Sequence, residues 1–169
     1  FLPEEDQGYF ITIVQLPDGA SKQRTDVVLN KIENYFLSVP AIHSTDTLSG
    51  QNFVFGTRGP NSATMFLPLR NWDERQGPQN HVKALIGAAF GEFAKIPEAL
   101  ILAFNAPSIR GLGATGGFSL QVQDPSGGGF NKFSGVTQEF LAKARQHPAI
   151  GAIGTSFRVS APRLFAHVN

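Results

Sequence analysis

Two phenylalanines two residues apart, Phe53 and Phe55, stand in the glycine-rich stretch SGQNFVFGTRGPNS at 49–62, with Arg58 three positions further on. Burying a Phe side chain is worth about 1.5–3 kcal/mol, so a loop Phe left in water wastes apolar area. Two of them among Gly50, Gly56 and Gly59 mean that the loop folds onto a core or lines an apolar pocket. Arg58 adds a cation and a planar stacking surface. Mobile glycines beside aromatic anchors suit an adaptable binding loop.

Other constellations are weaker. Gly111-Leu-Gly-Ala-Thr-Gly116 matches GxGxxG. A dinucleotide site needs that turn between a strand and a helix, so that the helix N-terminus meets the pyrophosphate. Here one strand is expected before it and another after, which assigns the glycines to a hinge. The four histidines, His43, His81, His147 and His167, have no paired metal-ligand spacing, and no metal or cofactor is expected. Glu4, Glu5 and Asp6 lie beside a strand start with no partner base and read as a solvated acidic patch. No nucleophile elbow or SxxK is present, and the chain is expected not to be an enzyme.

The 169 residues suffice for one domain, or one small domain and part of another. Hydrophobic residues make up 41%, enough for a core, while only 16% are charged, fewer than the roughly 25% of a typical soluble domain. A lightly charged surface suits a piece covered by neighbours. The net charge is +1 and the basic residues are scattered, so no nucleic-acid partner is expected. The absence of cysteine excludes thiolate catalysis, thiolate metal sites and disulfides. No stretch approaches the ~20 apolar residues of a membrane span. Without an initiator Met or a signal peptide, the chain reads as part of something longer.

The elements that must position the Phe pair follow from pattern. YFITIVQL at 9–16 is β-branched and aromatic and predicts a strand with Ile11 and Ile13 on one face. Ser21 caps a helix over 21–37, with Val28, Ile32, Tyr35 and Phe36 at helical spacing. A weaker strand is expected at 42–48, the loop at 49–62 and a strand at 63–70. Pro78 opens a helix to about 95, striped by Val82, Leu85, Ile86, Ala89, Phe90 and Phe93, and ALILAFN at 99–105 is a strand. The order β-α-β-β-α-β, with right-handed crossovers, is the split βαβ sandwich. Beyond a connection at 106–116, strands at 117–123, 150–156 and 163–168 and a helix at 133–146 predict β-α-β-β, half of a second such unit. The fold class is thus α+β: a ferredoxin-like βαββαβ sandwich followed by a partial second unit (βαββ). That half unit leaves sheet surface uncovered, so the protein is expected to continue past Asn169.

The opening FLPEEDQGYFITIVQLPDGAS resembles the segment after the seventh transmembrane helix of the AcrB-type, hydrophobe/amphiphile efflux branch of the RND (resistance–nodulation–cell division) superfamily. The likeness runs through GxRGxN at 56–61, the WxxR-like stretch at 72–75, AFNxPxIxxLG at 103–113, TGGF at 115–118 and HP at 147–148, covering essentially the whole chain. It implies a linker at 1–8, a first C-terminal-half porter subdomain at 9–106, a hinge at 107–116 and the truncated start of a second porter subdomain at 117–169. It also implies a trimeric, proton-driven pump of the bacterial inner membrane, working with a periplasmic adaptor and an outer-membrane channel on hydrophobic or amphiphilic small molecules. The proton relay would lie in membrane helices outside this chain.

Position by position, the stretch Gln51 to Asn61, with Gly56 and Gly59, matches the family's switch loop. Phe53 and Phe55 match its two pocket phenylalanines, Arg58 its arginine and Phe66 a deep-pocket phenylalanine. Leu48 stands where the best-known members have another Phe, and Ile11 and Ile13 where they have methionines. Phe104 matches an outer-pocket aromatic, while Leu102 replaces its neighbouring Phe and Gly111 an acidic residue. Arg158 is a shifted counterpart of an entrance arginine. The resemblance implies a periplasmic, polyspecific substrate pocket. The residues alone also allow a stand-alone ferredoxin-like interaction module that uses the Phe pair as a protein-binding patch. An acylphosphatase-like hydrolase on the same fold would need a phosphate-cradling loop, and Pro17-Asp-Gly-Ala-Ser21 holds no arginine.

Overall fold

The computed structural model describes residues 5–54, 56–106, 120–125, 127–150, 153–155, 157 and 159. The chain divides into two compact units, Phe1–Gly116 and Gly117–Asn169. In the first, β1 (Tyr9–Gln15), β2 (Asp46–Asn52), β3 (Thr57–Pro68) and β4 (Leu100–Asn105) form one sheet in the order β2-β3-β1-β4. All three neighbouring pairs are antiparallel. β1 and β2 therefore run parallel with β3 between them, and β3 and β4 run parallel with β1 between them. That interleaving of two βαβ units is the ferredoxin-like topology, and the α+β class stands.

The helices form where caps and spacing agree. α1 (Lys22–Ser38) starts at Ser21, whose side chain accepts the Arg24 N–H at 3.3 Å, and it closes at Val39 before Pro40. Its buried positions Thr25, Val28, Leu29, Ile32 and Phe36 make one stripe, with Tyr35 at the margin. Pro78 opens a 3-10 turn, Pro78–Asn80, instead of the expected helix, and α2 (Val82–Phe93) begins after it. His81 is the N-cap of α2: its Nδ1 accepts the Lys83 N–H at 3.3 Å.

Both helices cover one face of the sheet. Alternation along β1 puts Phe10 and Val14 on that face, beside Ala63, Met65 and Leu67 of β3 and Ile101 and Ala103 of β4. They pack against Val28, Ile32 and Phe36 of α1 and Val82, Leu85, Ala89 and Phe93 of α2. Phe36 sits at the centre, edge-on to Phe10 at 5.5 Å and to Phe93 at 6.0 Å between ring centroids. Each large side chain buried here contributes about 1.5–3 kcal/mol, which is what holds the two layers together.

The stretch 49–62 departs from the expected loop. β2 runs on to Asn52 and β3 begins at Thr57, so most of it is a β-hairpin whose turn is near Phe53 to Gly56. The ladder persists because a bulge between Ser49 and Gln51 absorbs Gly50, at φ 86°, and lets Gln51 pair with Arg58 and Asn52 with Thr57. The strand expected at 42–48 accordingly starts later, with only an isolated bridge from Ile42 to Leu69 ahead of it.

In the second unit, α3 (Phe130–Ala144) begins three residues earlier than expected. Thr137 and Leu141 are its buried residues, and the Phe133 ring meets Phe157 edge-on at 4.9 Å. Residues 120–123 of the expected strand at 117–123 form no strand and are exposed; nor do Ile150 and residues 153–155 of the one expected at 150–156. The stretches 107–119 and 160–169, which hold the hinge with Gly111 and the expected strand 163–168, lie outside the described residues.

Candidate functional site

The sheet face turned away from the helices gathers the residues singled out from sequence. Antiparallel register places Phe66, Ile11 and Phe104 side by side across β3, β1 and β4, with Asp46 of β2 at the outer end of that row. The next row reads Leu48, Thr64, Ile13 and Leu102. Side chains two apart on a strand share a face, and cross-strand neighbours stand about 4.5–5.5 Å apart at Cβ. One surface thus carries Ile11, Ile13, Leu48, Phe66, Leu102 and Phe104.

Burial within this surface is graded. Ile11 and Ile13 are buried, at 9% and 1% exposure, and neither belongs to the core cluster beneath the helices. Phe66, Leu102 and Phe104 are half-buried, and Leu48 is 45% exposed at the edge strand. The result is an aliphatic floor with aromatic rings standing at its sides.

Phe53 joins this surface from the hairpin turn. It is 45% exposed, and its ring lies 6.2 Å from that of Phe66, tilted by 57°. Aromatic pairs at that separation attract each other beyond simple area burial. The turn is held locally by Asn52, whose Oδ1 accepts the Val54 N–H at 3.1 Å. It is held to the sheet by Thr64, whose Oγ1 accepts the Phe53 N–H at 3.2 Å and donates to the Gln51 carbonyl at 2.9 Å. Phe55 lies outside the described residues. Gly56, at φ 63°, is exposed at the turn, in the left-handed region that favours glycine.

Arg58 is exposed on β3, opposite Gln51 of β2. Asn61 belongs to the fixed frame: its Nδ2 donates to the carbonyls of Leu16 at 3.1 Å and Pro17 at 3.3 Å, and its own carbonyl accepts the Leu16 N–H at 2.8 Å. Thr25 of α1 donates to the Pro60 carbonyl at 2.7 Å, fastening the same segment to the helix layer. Gly59 lies against this anchor, since a Cβ there would come within 2.8 Å of Asn61 Oδ1. Thr57 and Arg58 are paired in the ladder with Asn52 and Gln51, so both ends of the stretch Gln51 to Asn61 are held.

Sequence reasoning missed Thr64, Thr25 and the bulge at Gly50. Thr64 was findable in part: it lies two residues before Phe66 and so shares its face. Its link to Phe53 depends on the turn folding back, which no local pattern records.

Asp6 also differs from its expected role. Its side chain is 9% exposed and its carboxylate meets Arg75 at 2.7 Å, so it is a buried partner and not part of a solvated patch. Among the described residues, no group of three or more His, Cys, Asp or Glu could hold a metal ion. No described helix is long and apolar enough to cross a membrane.

The surface offers apolar contact and ring stacking with few free polar groups, on a ferredoxin-like α+β module. The chain belongs to the AcrB/AcrD/AcrF family, which it matches over residues 1–169. It is 36% identical to the multidrug export protein AcrF of Escherichia coli (strain K12) over 149 residues, which is 88% of this chain and 14% of AcrF. Identity is 35% to the multidrug resistance protein MdtF of the same strain over 148 residues, 88% of this chain and 14% of MdtF. It reaches 37% with the multidrug/solvent efflux pump membrane transporter MepB of Pseudomonas putida over 153 residues, 90% of this chain and 14% of MepB. The chain spans about 14% of the length of these relatives.

Proposed function

We propose that this chain is a substrate-contacting porter segment of a proton-driven RND multidrug efflux pump, placed on the periplasmic side of a bacterial inner membrane. It performs no catalysis. Its partners are hydrophobic or amphiphilic small molecules, two further copies in a trimeric pump, a periplasmic adaptor and an outer-membrane channel. The observation that carries this reading is the gathering of Ile11, Ile13, Leu48, Phe66 and Phe104 on one sheet face, with Phe53 against Phe66 at its margin. Family membership supplies the transport context.

Such a face binds by apolar transfer and stacking. With few directed hydrogen bonds, related and unrelated amphiphiles differ little in affinity, so selectivity is broad by construction. The stretch Gln51 to Asn61 acts as the switch loop, its tip at Phe53 moving against a frame fixed at Pro60 and Asn61. Opening or closing it changes how large a ligand fits between Phe53 and the sheet, a hinge-type step.

The test is fluorescence titration of the chain with a cationic, a neutral and an anionic amphiphilic dye. Weak binding of all three, diminished by Phe66→Ala, is expected. Binding of none, with capture of one protein partner through the Phe53 region, would establish the interaction-module alternative instead.

A further inference from the structure

Thr64 is a polar residue in the middle row of an apolar surface, and it is fully buried, at 0% exposure. Its cross-strand neighbours there are Leu48 and Ile13. Leaving a hydroxyl unbonded in such surroundings costs about 1–3 kcal/mol, so the partners it makes bear on stability. Both of its bonds go to the hairpin: it accepts from the Phe53 N–H at 3.2 Å and donates to the Gln51 carbonyl at 2.9 Å. The first reaches from the turn to the sheet, and the second ties β3 to the end of β2 just ahead of the turn. The frame below is tied separately, by Thr25 to the Pro60 carbonyl, by Asn61 to those of Leu16 and Pro17, and by Ser62 to that of Gly59.

We propose that Thr64 is a positioning residue for ligand capture: its hydroxyl holds the Phe53 main chain so that the Phe53 ring stands beside Phe66 at the rim of the apolar face. The ligand half of this proposal rests on the pocket reading above. Thr64 touches the turn and not the ligand. Breaking its two bonds leaves the Asn61 frame intact and frees the turn to swing on Gly56, so the latch lies between a rigid base and a moving tip.

Thr64→Val keeps the shape of the side chain and removes both bonds, whereas Thr64→Ser keeps the hydroxyl. Two measurements on the 169-residue chain test the proposal: NMR hydrogen exchange of the Phe53 amide, with Val14 in the central strand as the reference, and fluorescence titration with N-phenyl-1-naphthylamine. In Thr64→Val, Phe53 exchange is expected to rise roughly five- to tenfold relative to Val14, matching the loss of about one hydrogen bond. Dye affinity should fall about threefold or more, consistent with part of one hydrogen bond's worth of positioning. Thr64→Ser should restore both. Unchanged Phe53 exchange overturns the proposal, and so does an equal rise at Val14, which would mean that the hydroxyl serves the whole sheet. Faster Phe53 exchange with unaltered dye affinity overturns the positioning role. If the wild-type chain fails to bind dye, the pocket reading and the ligand half fall together, and Phe53 exchange still decides whether Thr64 holds the turn.

Discussion

The Arg75 guanidinium grips both carboxylate oxygens of Asp6 at 2.7 Å each, across 69 residues of sequence, in a site where the two side chains are 2% and 9% exposed. Asp6 also accepts the N–H groups of Gly8 and of Val82, the first residue of α2, at 3.0 Å each. Arg75 is completed by the carbonyls of Arg70 at 2.8 Å and Asn80 at 3.0 Å, and it lies over Trp72 at 5.7 Å. One ion pair thus ties the chain entering β1 to the start of α2 and to the connection between β3 and α2.

Burial opposes the Asp6 charge, but the hydrogen bond from Arg75 and those from the Gly8 and Val82 amides outweigh it, lowering the pKa to about 2 from 3.8. A depressed folded-state pKa contributes stability that is complete above the unfolded value and is lost as pH falls through the folded one. The contribution, of order 2 kcal/mol, should therefore be present above about pH 4 and vanish towards pH 2. Chemical denaturation of wild type and Asp6→Asn across that range should give curves that differ near neutrality and converge at the acid end. Parallel curves would remove Asp6 from the acid transition.

Aromatic residues on the two sheet faces should separate stability from binding. Phe36, 1% exposed at the centre of the helix-side core, should cost about 3–5 kcal/mol when cut to Ala. Phe66 and Phe104 are half-buried on the other face, and each should cost only about 1–2 kcal/mol as Ala. If the face binds amphiphiles, the affinity loss should reverse that ranking. Urea midpoints and dye titrations on the same three variants check both halves.

The helix-side half of the fold could be read from the chain because its signals are local. Ser21 caps α1 through a contact three residues away, and Val28, Ile32 and Phe36 recur at helical spacing. The alternation of Phe10, Ile11 and Ile13 shows which β1 residues share a side but not what stands beside them. That Ile11 lies between Phe66 and Phe104 is a matter of register, fixed by pairings 55 and 93 residues apart. The hairpin was hidden because Gly50, Asn52, Gly59, Pro60 and Asn61 are poor strand formers; it is made by the main-chain ladder, the Gly50 bulge and the Thr64 and Asn61 side chains. Asp6 looked solvated because Arg75, its partner, is brought close only by the fold.

Gly56 should tolerate substitution poorly for a reason unrelated to space. Among the described residues, no atom beyond its chain neighbours lies within 4 Å of where its Cβ would be, yet its φ is 63°. Gly56→Ala should cost about 1 kcal/mol or move the turn to a different conformation. Gly56→Asn, which accepts left-handed backbone more readily, should recover much of that loss. Thermal midpoints of the two variants distinguish backbone strain from crowding, since crowding would make the larger Asn the worse substitution.

Gly59 presents the opposite case. Its φ is not in the left-handed region, but an added Cβ would stand 2.8 Å from Asn61 Oδ1. Asn61 cannot turn aside without loss, because its Nδ2 holds the Leu16 and Pro17 carbonyls. Gly59→Ala alone should therefore destabilise the chain by about 1–2 kcal/mol, part strain and part weakened Asn61 bonds. Asn61→Ala alone should cost a similar amount through the lost bonds. Combined, they should cost clearly less than their sum, by about 1 kcal/mol, because the truncated Asn61 no longer meets the new methyl group. Denaturant melts of the four proteins in this cycle give the coupling energy. Additive effects would mean that Gly59 is required for something other than its approach to Asn61.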